Sequence, residues 1–182
     1  LSTTTVLAQG RIEIPANREF AGPPFEALKL ESPLLEPVVG HRPNRSSGLR
    51  IELESLGSNP VVHAYAHGGA GLSLAPGTAD EAINQVADPI RENKKVIVVG
   101  GGVIGLSIAH RLREVGHRGR IEIYSANFFP HNVSRVAGGL WSPVSFSMSN
   151  DDPDIKNRLL RSSYQHYQRL VKVGWPVIPM PM

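Results

Sequence analysis

The chain has 182 residues, 41% of them hydrophobic and 19% charged, which suits one globular domain or two small ones. Its net charge of +3 is scattered, the densest basic runs being Lys94-Lys95 and Arg111 to Arg120, so the surplus reads as solvated surface rather than a nucleic-acid face. The absence of cysteine excludes disulfides, thiolate metal ligands, cysteine nucleophiles and flavin attachment through sulfur, and no apolar run approaches the roughly 18 residues of a membrane span.

Residues 4 to 14 suggest one or two strands broken at Gly10. Residues 15 to 24 hold three prolines and read as loop, 25 to 35 as a short helix with Phe25, Leu28 and Leu35 inward, and 36 to 48 as turns. The alternation Leu49-Arg50-Ile51-Glu52-Leu53 predicts a half-buried strand, and Val61 to Tyr65 another. A glycine-rich loop follows, His67-Gly68-Gly69-Ala70-Gly71-Leu72-Ser73. Thr78-x-x-Glu81 has the pattern of a capping box, which predicts a helix starting at Thr78 and limited by Pro89.

Val96 to Val99 is a third apolar strand, Val103 to Val115 an amphipathic helix with Ile104, Ile108, Leu112 and Val115 on one side, and Gly116 its stop. Ile121 to Tyr124 is the next strand. Val136 to Pro143 is rich in small residues and ends in Trp141-Ser142-Pro143. Asp152-Pro153 opens a final helix with Ile155, Leu159, Tyr167 and Leu170 inward and Gly174 at its end. Trp175 to Met182 reads as a strand or loop cut off in mid-course, and Leu1 in place of Met suggests processing or a fragment. No secretory signal is expected, since Gln9, Arg11 and Pro15 break the first apolar stretch, and the sequons at Asn44 and Asn132 read as chance.

The chemistry concentrates at residues 96 to 105, Val-Ile-Val-Val-Gly-Gly-Gly-Val-Ile-Gly. Gly100, Gly102 and Gly105 stand at G-x-G-x-x-G spacing between a strand and a helix, with a second strand beyond. Such a βαβ unit holds a dinucleotide pyrophosphate: the first glycine makes the turn, the second lets the backbone approach phosphate, and the third lets helix pack on strand. The phosphates rest on unpaired N–H groups at the positive helix end, here those of Val103 and Ile104. The motif by itself leaves FAD and NAD open. The second strand ends Tyr124-Ser125-Ala126-Asn127 with no carboxylate for the ribose hydroxyls, which argues against a standard NAD site and leaves Ser125 and Asn127 as ribose partners.

Other candidates are weaker. His63 and His67 are four apart but flank an extended segment with no third ligand nearby, so no metal site is expected. Arg42, between Gly40 and Pro43, is either a loop arginine or a bidentate carboxylate clamp. Trp141 is either a core anchor or a cofactor contact.

These residues resemble a known family. Val96 to Pro143, with Gly-Val-Ile-Gly-Leu-Ser near its start and Ala-Gly-Gly-Leu-Trp near its end, resembles the N-terminal part of D-amino-acid oxidases. Val61 to Ala87, containing Val-His-Ala-Tyr-Ala-His-Gly-Gly-Ala-Gly-Leu-Ser, resembles the same family's C-terminal FAD segment, and His41-Arg42-Pro43 with Arg45 resembles its substrate-arginine loop. The order is reversed, with a join near Asp88 to Lys95 and the family's middle absent, as in a circular permutant.

The resemblance implies an α/β fold: a Rossmann-like, doubly wound FAD-binding domain of glutathione-reductase type with a partial antiparallel substrate-domain segment. It divides the chain into a substrate segment at 1–60 and an FAD-binding domain at 61–182, the latter comprising a flavin-facing loop and helix at 61–90, a βαβ unit at 95–145 and a helix at 150–182. It implies FAD as cofactor and oxidative deamination of D-amino acids to 2-oxo acids, ammonia and hydrogen peroxide. By position, Gly100, Gly102 and Gly105 hold the pyrophosphate. Gly138, Gly139, Leu140 and Trp141 run along the flavin, Gly68, Gly69, Gly71, Leu72 and Ser73 line its pyrimidine end, and the helix from Thr78 points at the N1–C2=O region. Arg42 clamps the substrate carboxylate. The alternatives are a non-catalytic FAD-binding fragment needing a complementary chain or oligomer, and an oxidase of glycine, sarcosine or D-aspartate. Neither a nucleic acid nor a membrane is an expected partner. The family's compartments are cytoplasmic or peroxisomal, though Pro179-Met180-Pro181-Met182 is no peroxisomal address.

Overall fold

The computed structural model describes residues 10–14, 39–86, 92–141 and 153–175. In chain order its elements are β1 (Gly10–Ile14), β2 (Arg50–Leu56), β3 (Asn59–Tyr65), α1 (Gly71–Asn84), β4 (Val96–Val99), α2 (Val103–Glu114), β5 (Ile121–Ser125), α3 (Val133–Val136) and α4 (Pro153–Lys172). The expected helix at 25 to 35 and the expected chain end beyond Trp175 lie outside the described residues.

Strands β4 and β5 pair in parallel, Val96 opposite Ile121 through Val99 opposite Tyr124, and α2 is the crossover between them. A parallel pair needs such a connection, because the chain must return to the same end of the sheet. β1 adds antiparallel to the other side of β5, giving the order β1-β5-β4. Among the described residues the parallel part of the sheet is therefore one βαβ unit. β1 comes from the segment expected to be a separate substrate portion, yet it joins the same sheet.

β2 and β3 form a separate antiparallel hairpin around Gly57-Ser58, with Gly57 at φ 63°, the left-handed backbone that a two-residue hairpin turn requires. Pro60 and Val61, either side of the expected domain boundary, are consecutive residues of β3.

Two apolar clusters hold these parts together, and α1 contributes to both. Ile83 joins Val98, Ala109, Leu112, Ile121 and Ile123 between helix and sheet. Leu74 and Ala70 join Leu49, Ile51 and Leu159, binding the hairpin and α4 to the other end of α1. Each fully buried leucine or isoleucine here contributes about 1.5–3 kcal/mol. Polar ties reinforce the arrangement: Asp80 on α1 accepts from Arg111 Nε of α2 at 2.5 Å and from the Ser162 hydroxyl of α4. Glu81 accepts from Arg158 of α4 at 2.9 and 3.1 Å.

Both expected helix stops at glycine are present. Gly116 has φ 91°, its N–H bonds Arg113 O, and His117 N–H reaches back to Leu112 O. Gly174 has φ 83° and Trp175 N–H reaches back to Leu170 O. These are the paired bonds that satisfy the last carbonyls of a helix.

Two expectations are corrected. α1 starts at Gly71, seven residues before Thr78. Thr78 is fully buried in mid-helix, and its hydroxyl bonds His67 Nε2 at 2.9 Å instead of capping an N-terminus. The apparent capping box is an i, i+3 coincidence inside a longer helix. Val115 is 45% exposed at the C-cap of α2 rather than inward, because the helix ends one residue before it.

Candidate functional site

The β4-to-α2 turn is shaped by its glycines. Gly100 has φ 127°, and its N–H bonds Tyr124 O of the neighbouring strand at 2.7 Å. A Cβ on Gly105 would overlap the Gly100 carbonyl, so the helix can sit this close only with glycine there. Gly102 is the N-cap, in extended backbone with no side-chain cap of its own. The Val103 N–H, one of the donors a helix leaves unpaired at its start, is accepted by Ser134 Oγ at 2.9 Å. Asn132 holds Ser134 there: its Nδ2 donates to Gly101 O at 3.0 Å, and its Oδ1 accepts from Arg135 N–H at 3.3 Å.

The second glycine loop lies against the first. A Cβ on Gly71 would stand 3.8 Å from Val103 Cγ1 and 4.0 Å from Ile104 Cδ1. Gly68 and Gly69 adopt φ 60° and 101°. Gly68 N–H bonds Pro43 O at 3.1 Å, and a Cβ on Gly69 would stand 2.6 Å from Arg42 Nη1. The arginine loop and the glycine loop are therefore in contact, with Arg42 itself exposed. His67 anchors this loop from below. It is 2% exposed, and burial pulls its pKa down to about 4, so it is neutral at physiological pH. His63 is elsewhere, on the hairpin, with Nε2 2.9 Å from Glu54, so the two histidines have separate partners.

The third segment, 138–141, reaches the same place. Ser73 Oγ donates to Leu140 O at 3.1 Å, tying the first turn of α1 to the Gly-Leu-Trp run. Trp141 packs edge-on against Tyr167 with centroids 5.8 Å apart and tilted against Tyr164 at 6.0 Å. At the end of β5, Ser125 Oγ donates to Asn127 O at 2.7 Å, and a Cβ on Gly101 would stand 3.0 Å from Ser125 Cβ.

The structure thus gathers the three glycine segments, with Ser125 and Asn127 at one margin and Arg42 at another. The arrangement fits a dinucleotide. Neither α1 nor α2 has an acidic residue in its first turn, so neither supplies its own negative charge at its positive end. Around Gly100, Gly138 and Gly139 none of the described residues comes within 4 Å of where a Cβ would be, so these residues leave room for a ligand. The helix end aimed into the site is that at Gly71, not Thr78.

Sequence reasoning missed three contributors. Ser134 carries no motif that marks it, and His67 reads only as a metal candidate and as part of the glycine-rich loop. Tyr167 had a signal: Pro76 lies inside α1 and has no N–H for the carbonyl four residues back, that of Leu72. Tyr167 OH donates to that carbonyl.

Known proteins match part of this chain. Residues 95–179 match the family described as FAD dependent oxidoreductase (DAO). A D-aspartate oxidase of Cryptococcus neoformans var. grubii is 45% identical over 56 residues, 30% of this chain and 14% of that protein. A D-amino-acid oxidase of Rubrobacter xylanophilus is 50% identical over 50 residues, 27% of this chain and 15% of that protein. The matches thus span about one seventh of the length of these curated relatives, and no solved structure matches the chain. The family match covers residues 95–179, which include the β4–α2–β5 unit and the Gly-Gly-Leu-Trp run, and it is to the FAD-dependent oxidoreductases of the DAO family that this stretch is similar.

Proposed function

We propose that this chain is the FAD-holding part of an oxidase that deaminates D-amino acids to 2-oxo acids, ammonia and hydrogen peroxide. The observation that carries the reading is the close approach of Gly71 to Val103 and Ile104, where an added Cβ would meet both side chains, which brings two helix N-termini and their glycine turns together. The family match at 95–179 and the names of the two relatives support the reaction class.

The residues divide the work as follows. Gly100, Gly102 and Gly105 with the N–H of Ile104 hold the pyrophosphate; the Val103 N–H, expected from the sequence to be unpaired, is taken by Ser134 Oγ. Ser125 and Asn127 face the adenosine ribose. Gly68, Gly69, Gly71, Leu72 and Ser73 border the pyrimidine end of the flavin, where the α1 dipole favours negative charge. Gly138, Gly139, Leu140 and Trp141 run along the ring, and Arg42 orients the substrate through its carboxylate. FAD held by these residues would supply the hydride acceptor for the substrate Cα–H and the route for its electrons to oxygen.

A second reading is an FAD-binding fragment that requires a complementary chain. It is favoured by the exposure of Leu140 at 58% and Trp141 at 39%, which leaves the flavin-facing run partly open even though Trp141 packs against Tyr164 and Tyr167. The reversed order of the two family segments, a circular permutation, belongs to either reading. D-Aspartate, glycine or sarcosine as substrate would need the same Arg42.

The test is a visible absorption spectrum of the purified protein under anaerobic conditions, before and after adding a D-amino-acid mixture. Flavin bands that bleach support the oxidase. Bands that persist support the fragment, with bleaching restored by the complementary chain. A protein that takes up no FAD overturns both.

A further inference from the structure

The first turn of α1 contains a fault that α4 repairs. Pro76 is the sixth residue of α1 and supplies no N–H to the Leu72 carbonyl. In an uninterrupted helix that carbonyl would be paired within the helix. Here its partner is the hydroxyl of Tyr167, twenty residues or more from any other part of the site in sequence but adjacent in space. The same Tyr167 ring meets Trp141 edge-on at 5.8 Å. Ser73, which follows Leu72 in the chain, donates its hydroxyl to Leu140 O at 3.1 Å.

We propose that Tyr167 is a positioning residue for the flavin site, locking the turn at Leu72–Ser73 to the Leu140–Trp141 run through the carbonyl that Pro76 leaves open. The proposal rests on the flavin reading above. Its geometry is fixed one helical turn away, where the Gly77 N–H donates to Ser163 Oγ at 2.8 Å and glycine alone allows α1 to lie on the Leu159 backbone. Ser163 and Tyr167 are four residues apart on α4, so the contact that sets the helix crossing also sets the phenol against Leu72. Tyr167 does not touch the reacting atoms; it acts through the two segments it joins.

The test is a mutant cycle. Tyr167→Phe keeps the ring and removes the donor; Pro76→Ala restores an amide to Leu72. FAD affinity is measured by titration at a temperature well below each variant's melting midpoint. Trp141 fluorescence is read in a Trp175→Phe background, where it is the only tryptophan. Tyr167→Phe is expected to weaken FAD binding about tenfold and to shift Trp141 emission, as loss of one buried hydrogen bond with an unsatisfied acceptor should. In the Pro76→Ala background the same substitution should cost less than about threefold, because the carbonyl then has its helical partner. Equal effects in both backgrounds, or a Tyr167→Phe protein with unchanged FAD affinity and emission, overturn the proposal. If the parent protein binds no FAD, the flavin reading fails. The emission cycle still reports whether Tyr167 couples Pro76 to Trp141, and an additive cycle would reject that too.

Discussion

The Gly77 amide donates a 2.8 Å hydrogen bond to Ser163 Oγ, and the site of the missing Cβ of Gly77 is filled by the Leu159 backbone. This is where α1 and α4 cross. Gly77→Ala should therefore force the helices apart, lowering stability by about 1–3 kcal/mol. A urea titration checks it: the midpoint should fall, and a midpoint equal to the parent's would mean the crossing tolerates a methyl group.

His67 gives the protein a predictable acid sensitivity. An unfolded histidine titrates near 6.5, whereas burial holds His67 down to about 4 in the fold. Between these values the unfolded chain binds a proton that the folded chain excludes, so stability is complete above pH 6.5 and falls as pH drops towards 4. The full loss is on the order of 3 kcal/mol. Burial also lowers the pKa of His166, in the same direction. Melting temperatures between pH 7 and pH 4 should therefore fall in the parent and fall distinctly less in His67→Gln.

Ser134 carries the N-terminus of α2 by accepting from Val103 N–H at 2.9 Å. Replacing it by alanine should cost about 1 kcal/mol, the usual value of a lost N-terminal acceptor. Because Val103 lies in the glycine turn, chemical denaturation in the presence and absence of FAD should show a larger loss in the FAD-bound protein. An identical loss in both would separate Ser134 from the cofactor.

Arg42 lies over Gly69, with its guanidinium close to the glycine loop and open to solvent. In the assembled oxidase Arg42→Leu should reduce kcat/KM by a hundredfold or more, the loss of a charge-assisted carboxylate pair being worth about 2–5 kcal/mol. FAD affinity should stay within about threefold, since a removed hydrogen bond to neither phosphate nor ring is at stake. A parallel fall in FAD affinity would instead make Arg42 a support of the glycine loop.

Local sequence determined the parts whose cause is local. Val96 to Val99 had to be extended and Gly100 had to turn, because β-branched residues favour strand and only glycine takes φ 127° without strain. Gly116 and Gly174 had to stop their helices for the same reason. The spacing of Gly100, Gly102 and Gly105 predicted a tight strand-to-helix turn, and Gly105 does lie against the Gly100 carbonyl. What only the tertiary structure decided is what depends on partners far along the chain. Thr78 resembles a cap by spacing, yet its hydroxyl is taken by His67 and the helix runs through it from Gly71. A proline removes an amide from the helical ladder, yet α1 runs through Pro76, and Tyr167 satisfies the carbonyl that the proline leaves open. A backbone conformation is chosen by nearest neighbours, whereas a buried donor or acceptor is satisfied by whichever group the whole fold brings within reach.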